Sequence, residues 1–212
     1  MAALALEPYL AAMRGRFGGE MDLDRWWPAR SRFEVVVGAV LVQNTAWANV
    51  ERAIAALRRA GKLSIAGIRS LDEAELGPLI RSSGTWRVKA RRLRGFVAWL
   101  DREHQGNLQR LFAQPTETAR RQLLAVQGIG EETADAILLF AGRHASFVLD
   151  SYTRRIFARH RLPQDRTWAA AALPANERVY RHVHGLLVET AKRHCKKRQP
   201  ECGDCPLKAL LP

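Results

Sequence analysis

The sequence predicts an all-α protein, and three observations carry that prediction. Strand-length alternation of apolar and polar residues is nearly absent, apolar residues recur at helical spacing along most of the chain, and the linkers are short: residues 18–19, 61–65 and 162–165. The segment that tests the prediction hardest is 33–42, FEVVVGAVLV, which is β-branched enough for a strand. It continues without a break through QNTAWANVERAI, so one buried helix is expected there. Residues 49–60 then place Val50, Ile54 and Leu57 on one face and stop at Gly61. Residues 71–82 carry an acidic start, Asp72-Glu-Ala-Glu, which a helix dipole favours. Residues 87–103 line up Ala90, Leu93, Val97 and Leu100, with Lys89, Arg91, Arg92 and Arg94 around the stripe. Helices are also expected over 116–126, 131–140, 151–160 and, long and amphipathic, 176–194. Two helical lobes are the expected architecture.

Charge narrows the partner. Lys and Arg number 34 against 21 Asp and Glu, a net charge of +13 and a pI near 10.7. Such an excess favours a polyanion, nucleic acid first; the bland alternative is a general basic bias. At 212 residues, 47% apolar and 26% charged, the chain suits one large or two small globular domains. No apolar run approaches the roughly 20 residues that span a bilayer. The N-terminus lacks the basic start and apolar core of a signal peptide. The three cysteines, odd in number and all within the last eighteen residues, do not form a disulfide framework. A cytoplasmic protein without a membrane partner is expected.

Residues 124–135, LAVQGIGEETAD, read as two helices joined by a Gly-hydrophobic-Gly turn, the whole motif spanning about 118–140. Gly128 and Gly130 let the backbone turn sharply and approach another molecule. Open amides ahead of the helix starting near Glu131 suit a phosphate. Fifteen residues beyond Asp135, Asp150 closes the apolar run Ala145-Ser-Phe-Val-Leu. A carboxylate there either caps the helix starting at Ser151 or serves chemistry, stabilising positive charge on a sugar and orienting a nucleophile.

The hairpin and its following aspartate resemble those of the endonuclease III superfamily of DNA glycosylases. The resemblance implies a cleft between two lobes, residues 1–32 with 145–212 and residues 33–144, with the helix-hairpin-helix at its edge. It implies a monomer acting on double-stranded DNA with a damaged base, and Asp150 as the catalytic carboxylate. Bifunctional members carry a Schiff-base lysine at the second position after the turn, which is Glu132 here. A carboxylate cannot form an imine. A monofunctional N-glycosylase is therefore expected: water attacks, the base leaves and an abasic site remains. Glu132 either positions that water or is an ordinary helix-start glutamate.

Trp26-Trp27-Pro28, then Phe33-Glu, Val40-Leu-Val-Gln-Asn-Thr-Ala-Trp and SGTWRVKARRL from Ser83 are similar to the branch that includes helix-hairpin-helix 3-methyladenine DNA glycosylases. The similarity covers about residues 26–195. It implies a base pocket lined by Trp26, Trp27, Pro28 and Trp47, and an alkylated purine as the base, since flipped, electron-poor bases stack well on aromatic faces. Trp99 and Trp168 are read as core. The resemblance also places Gln43, with Asn44, against the gap left by the flipped base, and Thr85 with Trp86 in a wedge loop. Gln43 and Asn44 are otherwise hydrogen-bonding residues of the core. Thr133, Lys89, Arg154 and Arg155 are candidates for phosphate contacts beside Gly128 and Gly130. Two other functions stay open: a glycosylase for oxidised, deaminated or mismatched bases, and a DNA-binding protein without catalysis.

Cys195-x6-Cys202-x2-Cys205 matches three of the four positions with which endonuclease III relatives bind a [4Fe–4S] cluster; the fourth falls on Leu211. Soft thiolates suit such a cluster. The incomplete set requires water, a carboxylate or an imidazole at the last site. A three-iron cluster, zinc with His194, and an empty site of free thiols are the other readings.

Overall fold

The computed structural model describes residues 5–212; the first four residues, assigned above to the terminal lobe, lie outside them. Among the described residues there is no β-strand. The helices are α1 (Glu7–Phe17), α2 (Arg32–Leu41), α3 (Trp47–Arg59), α4 (Ile65–Arg69), α5 (Glu73–Leu79) and α6 (Trp86–His104). Then come α7 (Leu108–Phe112), α8 (Thr116–Leu124), α9 (Glu131–Ala136), α10 (Ser151–Arg159), α11 (Arg166–Ala171) and α12 (Glu177–Arg193). A π-helical segment, Ile137–Gly142, continues α9. The chain divides into two compact units: residues up to Pro28 together with Ala145–Pro212, and Ala29–His144.

In the continuous unit α2 is the core helix. Ser31 Oγ accepts from the Glu34 amide at 3.1 Å and starts it. Every residue from Phe33 to Leu41 is buried, which is why the segment is apolar on all sides and resembles a strand in sequence. The continuous helix expected through residue 54 does not form. Asn44 adopts φ +55°, a left-handed conformation that asparagine tolerates better than most residues. Asn49 Nδ2 donates to Thr45 Oγ1 at 2.8 Å, and the chain restarts as α3 at Trp47. The break turns QNT into an exposed or half-buried loop instead of a helix interior.

In the terminal unit α12 is the spine, packed by α1, α10 and the short 3-10 turn Leu23–Arg25. Asp24 fastens that turn: it accepts from Arg178 Nε and Nη2 at 2.9 and 2.7 Å and pairs with His182 Nε2 at 2.9 Å. Trp26 then lies on Gly185, where an added Cβ would stand 3.0 Å from the indole. Glycine at that position of α12 is what lets the ring sit flush on the helix. No helix of the described residues is long and apolar enough to cross a membrane.

Candidate active site

The hairpin between α8 and α9 is built from backbone conformation and one clamp. Gly128 has φ +87°, and a Cβ there would meet the Arg92 side chain at 2.6 Å. Ile129 is buried and anchors the turn. Gly130 is the N-cap of α9 and offers no side-chain acceptor to the amides that follow. Arg120 on α8 makes a two-pronged contact with Asp135 on α9, Nε and Nη2 at 2.8 and 3.1 Å from the two carboxylate oxygens. Glu131 stands 3.5 Å from the same guanidinium. Asp135 holds the Arg120 guanidinium's pKa above its usual value.

Gln43 belongs to this hairpin. Its Nε2 donates to the Gly128 carbonyl at 3.2 Å and to Thr133 Oγ1 at 2.8 Å, while Arg92 donates to its Oε1. The core-bonded alternative read for Gln43 is thus what the ligand-free protein shows. Thr133 is itself buried and serves Gln43. Asn44, next along, is exposed in its left-handed turn.

Lys89 requires a correction. It is 1% exposed, and its ammonium donates to the Leu41 carbonyl at 2.8 Å and the Ser83 carbonyl at 2.5 Å. It satisfies the C-terminal end of α2 and the turn before α6, so it has no ammonium to offer a phosphate. Burial, with Arg92 nearby, lowers its pKa from the usual lysine range. In the loop before α6, Thr85 is exposed. Trp86 packs on α5: a Cβ on Gly77 would fall 2.3 Å from its ring, and the Arg87 guanidinium lies 4.3 Å from its centroid. Trp47 opens α3 and donates from Nε1 to Glu51 Oε1 at 3.0 Å. Glu132 is exposed at the second position of α9.

In the terminal unit, the buried segment Ser146–Leu149 delivers Asp150 to the start of α10. Asp150 is the N-cap: its Oδ1 accepts from the Thr153 amide at 2.8 Å. Capping fixes the carboxylate's position and does not exclude chemistry at it. Burial pushes the His184 imidazole below the ordinary histidine range, and the negative charge of Asp150 works in the opposite direction. The same imidazole meets Trp26 edge-on at 5.3 Å, and Trp26 meets Trp27 edge-on at 6.3 Å. His184, Trp26 and Trp27 therefore form one connected group of rings, with the Asp150 charge acting on the imidazole, and His184 is the member that the sequence did not reveal. Its only signal is a histidine on the apolar side of α12. Pro28 follows, exposed. Arg154 is half-buried, with Nη1 3.4 Å from the Gln164 carbonyl, and Arg155 Nε is spent on the Cys195 carbonyl at 2.5 Å.

The three cysteines line one recess, with Arg159, His160, His194, Leu207, Lys208 and Leu211. Arg159 Nη1 approaches Cys195 Sγ at 2.9 Å. Burial raises the Cys205 thiol pKa, and the other two thiols add to the effect. Among the described residues no three His, Cys, Asp or Glu side chains converge as one metal ion requires. Three buried or half-buried thiols around a shared recess, backed by a guanidinium, fit a group larger than a single ion.

The chain is thus helical, with a Gly-Ile-Gly hairpin in the continuous unit and, in the terminal unit, a capped carboxylate and a His184–Trp26–Trp27 group of rings. The chain belongs to the HhH-GPD superfamily of base excision DNA repair proteins, which matches residues 37–179. It is an endonuclease III-like DNA glycosylase of base excision repair. A Methanocaldococcus jannaschii protein named for a DNA repair glycosylase is 40% identical over 86% of each chain. Endonuclease III of Thermotoga maritima is 26% identical over 83% of this chain and 80% of its own length. A non-covalent endonuclease III–DNA complex has the same fold at a TM-score of 0.78 and 23% identity, covering 96% of this chain and 92% of that one. So does a Helicobacter pylori 3-methyladenine DNA glycosylase bound to 1,N6-ethenoadenine, at 0.74 and 24%, covering 87% and 96%.

Proposed function

We propose that this glycosylase is monofunctional, acting as a monomer on double-stranded DNA to remove an alkylated purine such as 3-methyladenine. The observation that carries the reading is the carboxylate at position 132, where a lyase would need an amine, together with Asp150 capped and held at the start of α10 in the other unit. Asp150 stabilises the positive charge that builds on the sugar as the base departs and orients the attacking water. Without an amine at position 132 no imine forms with the sugar, and the product is an intact abasic strand. Glu132 contributes by positioning that water.

Trp26, Trp27 and Pro28 in the terminal unit, and Trp47 in the continuous unit, each offer a stacking surface for a cationic, alkylated base. That one structural neighbour is a 3-methyladenine DNA glycosylase, bound to 1,N6-ethenoadenine, supports the choice of a modified purine. The hairpin amides at Gly128 and Gly130 hold a phosphate, and Arg154, Thr85, Trp86 and Asn44 flank the DNA. Gln43 leaves its bonds to Gly128 and Thr133 when it enters the duplex, so DNA insertion and hairpin geometry are coupled through one amide. Cys195, Cys202 and Cys205 would hold an iron–sulfur cluster, which supplies structural order to the basic loop Lys196-Lys197-Arg198.

Base release from methylated DNA, followed by alkali, tests this for the wild type and Asp150→Asn. Wild type releases base and strands break only after alkali; Asp150→Asn is slowed about 10²–10⁴-fold. Asparagine keeps the helix cap, so the variant melts near the wild-type temperature. Strand cleavage without alkali, or a borohydride-trapped protein–DNA adduct, would overturn monofunctionality. Release only from oxidised, deaminated or mismatched substrates would move the substrate to the pyrimidine and mismatch classes.

A further inference from the structure

The cluster reading leaves one coordination position without a thiolate, because Leu211 stands where a fourth cysteine would be. We propose that Nε2 of His194 fills it, so that the cluster is held by three cysteines and one histidine. The inference rests on the reading that the three cysteines hold iron.

His194 lines the same recess as the three thiols. Its Nε2 is buried and makes no hydrogen bond, although it is a strong donor or acceptor in either tautomer. Buried polar atoms without a partner are uncommon in folded proteins, and a bound ion or cluster is one of the few things that accounts for them. Other orphaned atoms occur in this chain, but none of the others shares a cavity with three cysteines. The second imidazole on the recess, His160, bonds the Leu210 carbonyl through Nδ1 at 3.0 Å, and neither of its nitrogens is among the buried atoms left without a partner. The nearby carboxylates are less suitable, because Glu201 pairs with Lys196 and Asp204 is exposed. Leu211 contributes an aliphatic wall and no donor atom.

The backbone holds His194 in place. Its amide donates to the Thr190 carbonyl at 2.9 Å, ending α12. Its carbonyl accepts from Lys196 at 2.9 Å and from Glu201 at 2.8 Å, closing the loop that carries Cys195 toward Cys202. The ring stacks on Phe17 at 6.2 Å. Adjacent ligands such as His194 and Cys195 crowd one tetrahedral ion. A cubane places each ligand on a different iron, so adjacency is no obstacle, and the failure of these groups to converge on a single-ion site agrees with that. The bond is dative: the Nε2 lone pair enters an iron orbital, the ring proton stays on Nδ1, and no electron is transferred. Imidazole replaces thiolate on iron in other clusters and raises their potential.

The test uses the full chain, reconstituted anaerobically with iron and sulfide and reduced with dithionite. Iron and sulfide are assayed, and pulsed EPR is recorded with and without ¹⁵N-histidine. The expected result is about four irons per chain and a strongly coupled nitrogen that changes with the label. That coupling disappears in His194→Ala and persists in His160→Ala. The double variant His194→Ala/Leu211→Cys recovers about four irons, without the nitrogen signal and at a lower potential. A wild-type cluster without nitrogen coupling, or coupling that survives His194→Ala, overturns the histidine assignment alone. A chain that takes up no iron, or only zinc, overturns the cluster reading and this assignment with it. Neither result bears on glycosylase activity, which is measured separately.

Discussion

Two glycines of one turn do different jobs. Gly128 holds φ +87° and has the Arg92 side chain where a Cβ would go; Gly130 holds φ −89° with open space around it. Gly128→Ala is expected to cost roughly 1–2 kcal/mol from the left-handed backbone, a melting-point drop of about 2–8 °C. Gly130→Ala is expected to melt within about 2 °C of wild type while weakening DNA affinity, if its proposed role is access for a phosphate. Thermal melts of the two variants check this, and equal losses would sink the distinction. The sequence made both glycines visible but could not separate them, since the difference is a dihedral angle and a neighbour 36 positions away in the chain (128 − 92). Lys89 carries the same lesson. A lysine among arginines on an amphipathic helix reads as surface, and only packing shows that it faces two carbonyls in the interior.

The elements were largely legible, and their joints less so. The long helices α6, α8, α10 and α12 lie within a residue or two of their expected bounds because their apolar stripes are regular. Short helices such as α4 and α7, five residues each, carry too little periodicity to be read. The α2–α3 break was missed because one asparagine in a left-handed turn suffices to make it. The Arg120–Asp135 clamp was also hidden: it spans the hairpin, and nothing in either helix alone marks the pairing. Its side chains are 12% and 2% exposed, so the pair is in the interior. Asp135→Asn leaves a buried guanidinium with only the more exposed Glu131 beside it, at an expected cost of about 3–5 kcal/mol. Urea denaturation reads this directly, and a loss under about 1 kcal/mol would place the clamp among ordinary surface pairs.

At the scale of the molecule, composition announced a polyanionic partner and periodicity an all-α fold, and the family membership agrees with both. The group of His184, Trp26 and Trp27, with the Asp150 charge acting on its imidazole, was only half legible, because its histidine comes from a distant helix. That histidine has a consequence for stability. Burial lowers the pKa of His184, and of His104, relative to the unfolded chain. A depressed histidine binds its proton more readily when unfolded, so stability is complete above about pH 6.5 and falls as pH drops below it. Acid also adds positive charge to a chain already at +13, which acts in the same direction. Melting temperature followed from pH 8 to pH 5 should fall, and His184→Gln should flatten part of the slope. An unchanged slope in that variant would show that His184 does not carry it.

The terminal unit is assembled from two separate stretches, up to Pro28 and from Ala145 on, whereas residues 29–144 are continuous. Synthesis therefore delivers the hairpin before Asp150, α12 or the cysteine loop exists, and domains tend to fold as they emerge. On the proposed reading, the turn offered to a phosphate is synthesised before the carboxylate that serves the chemistry and before the thiols of the cysteine loop.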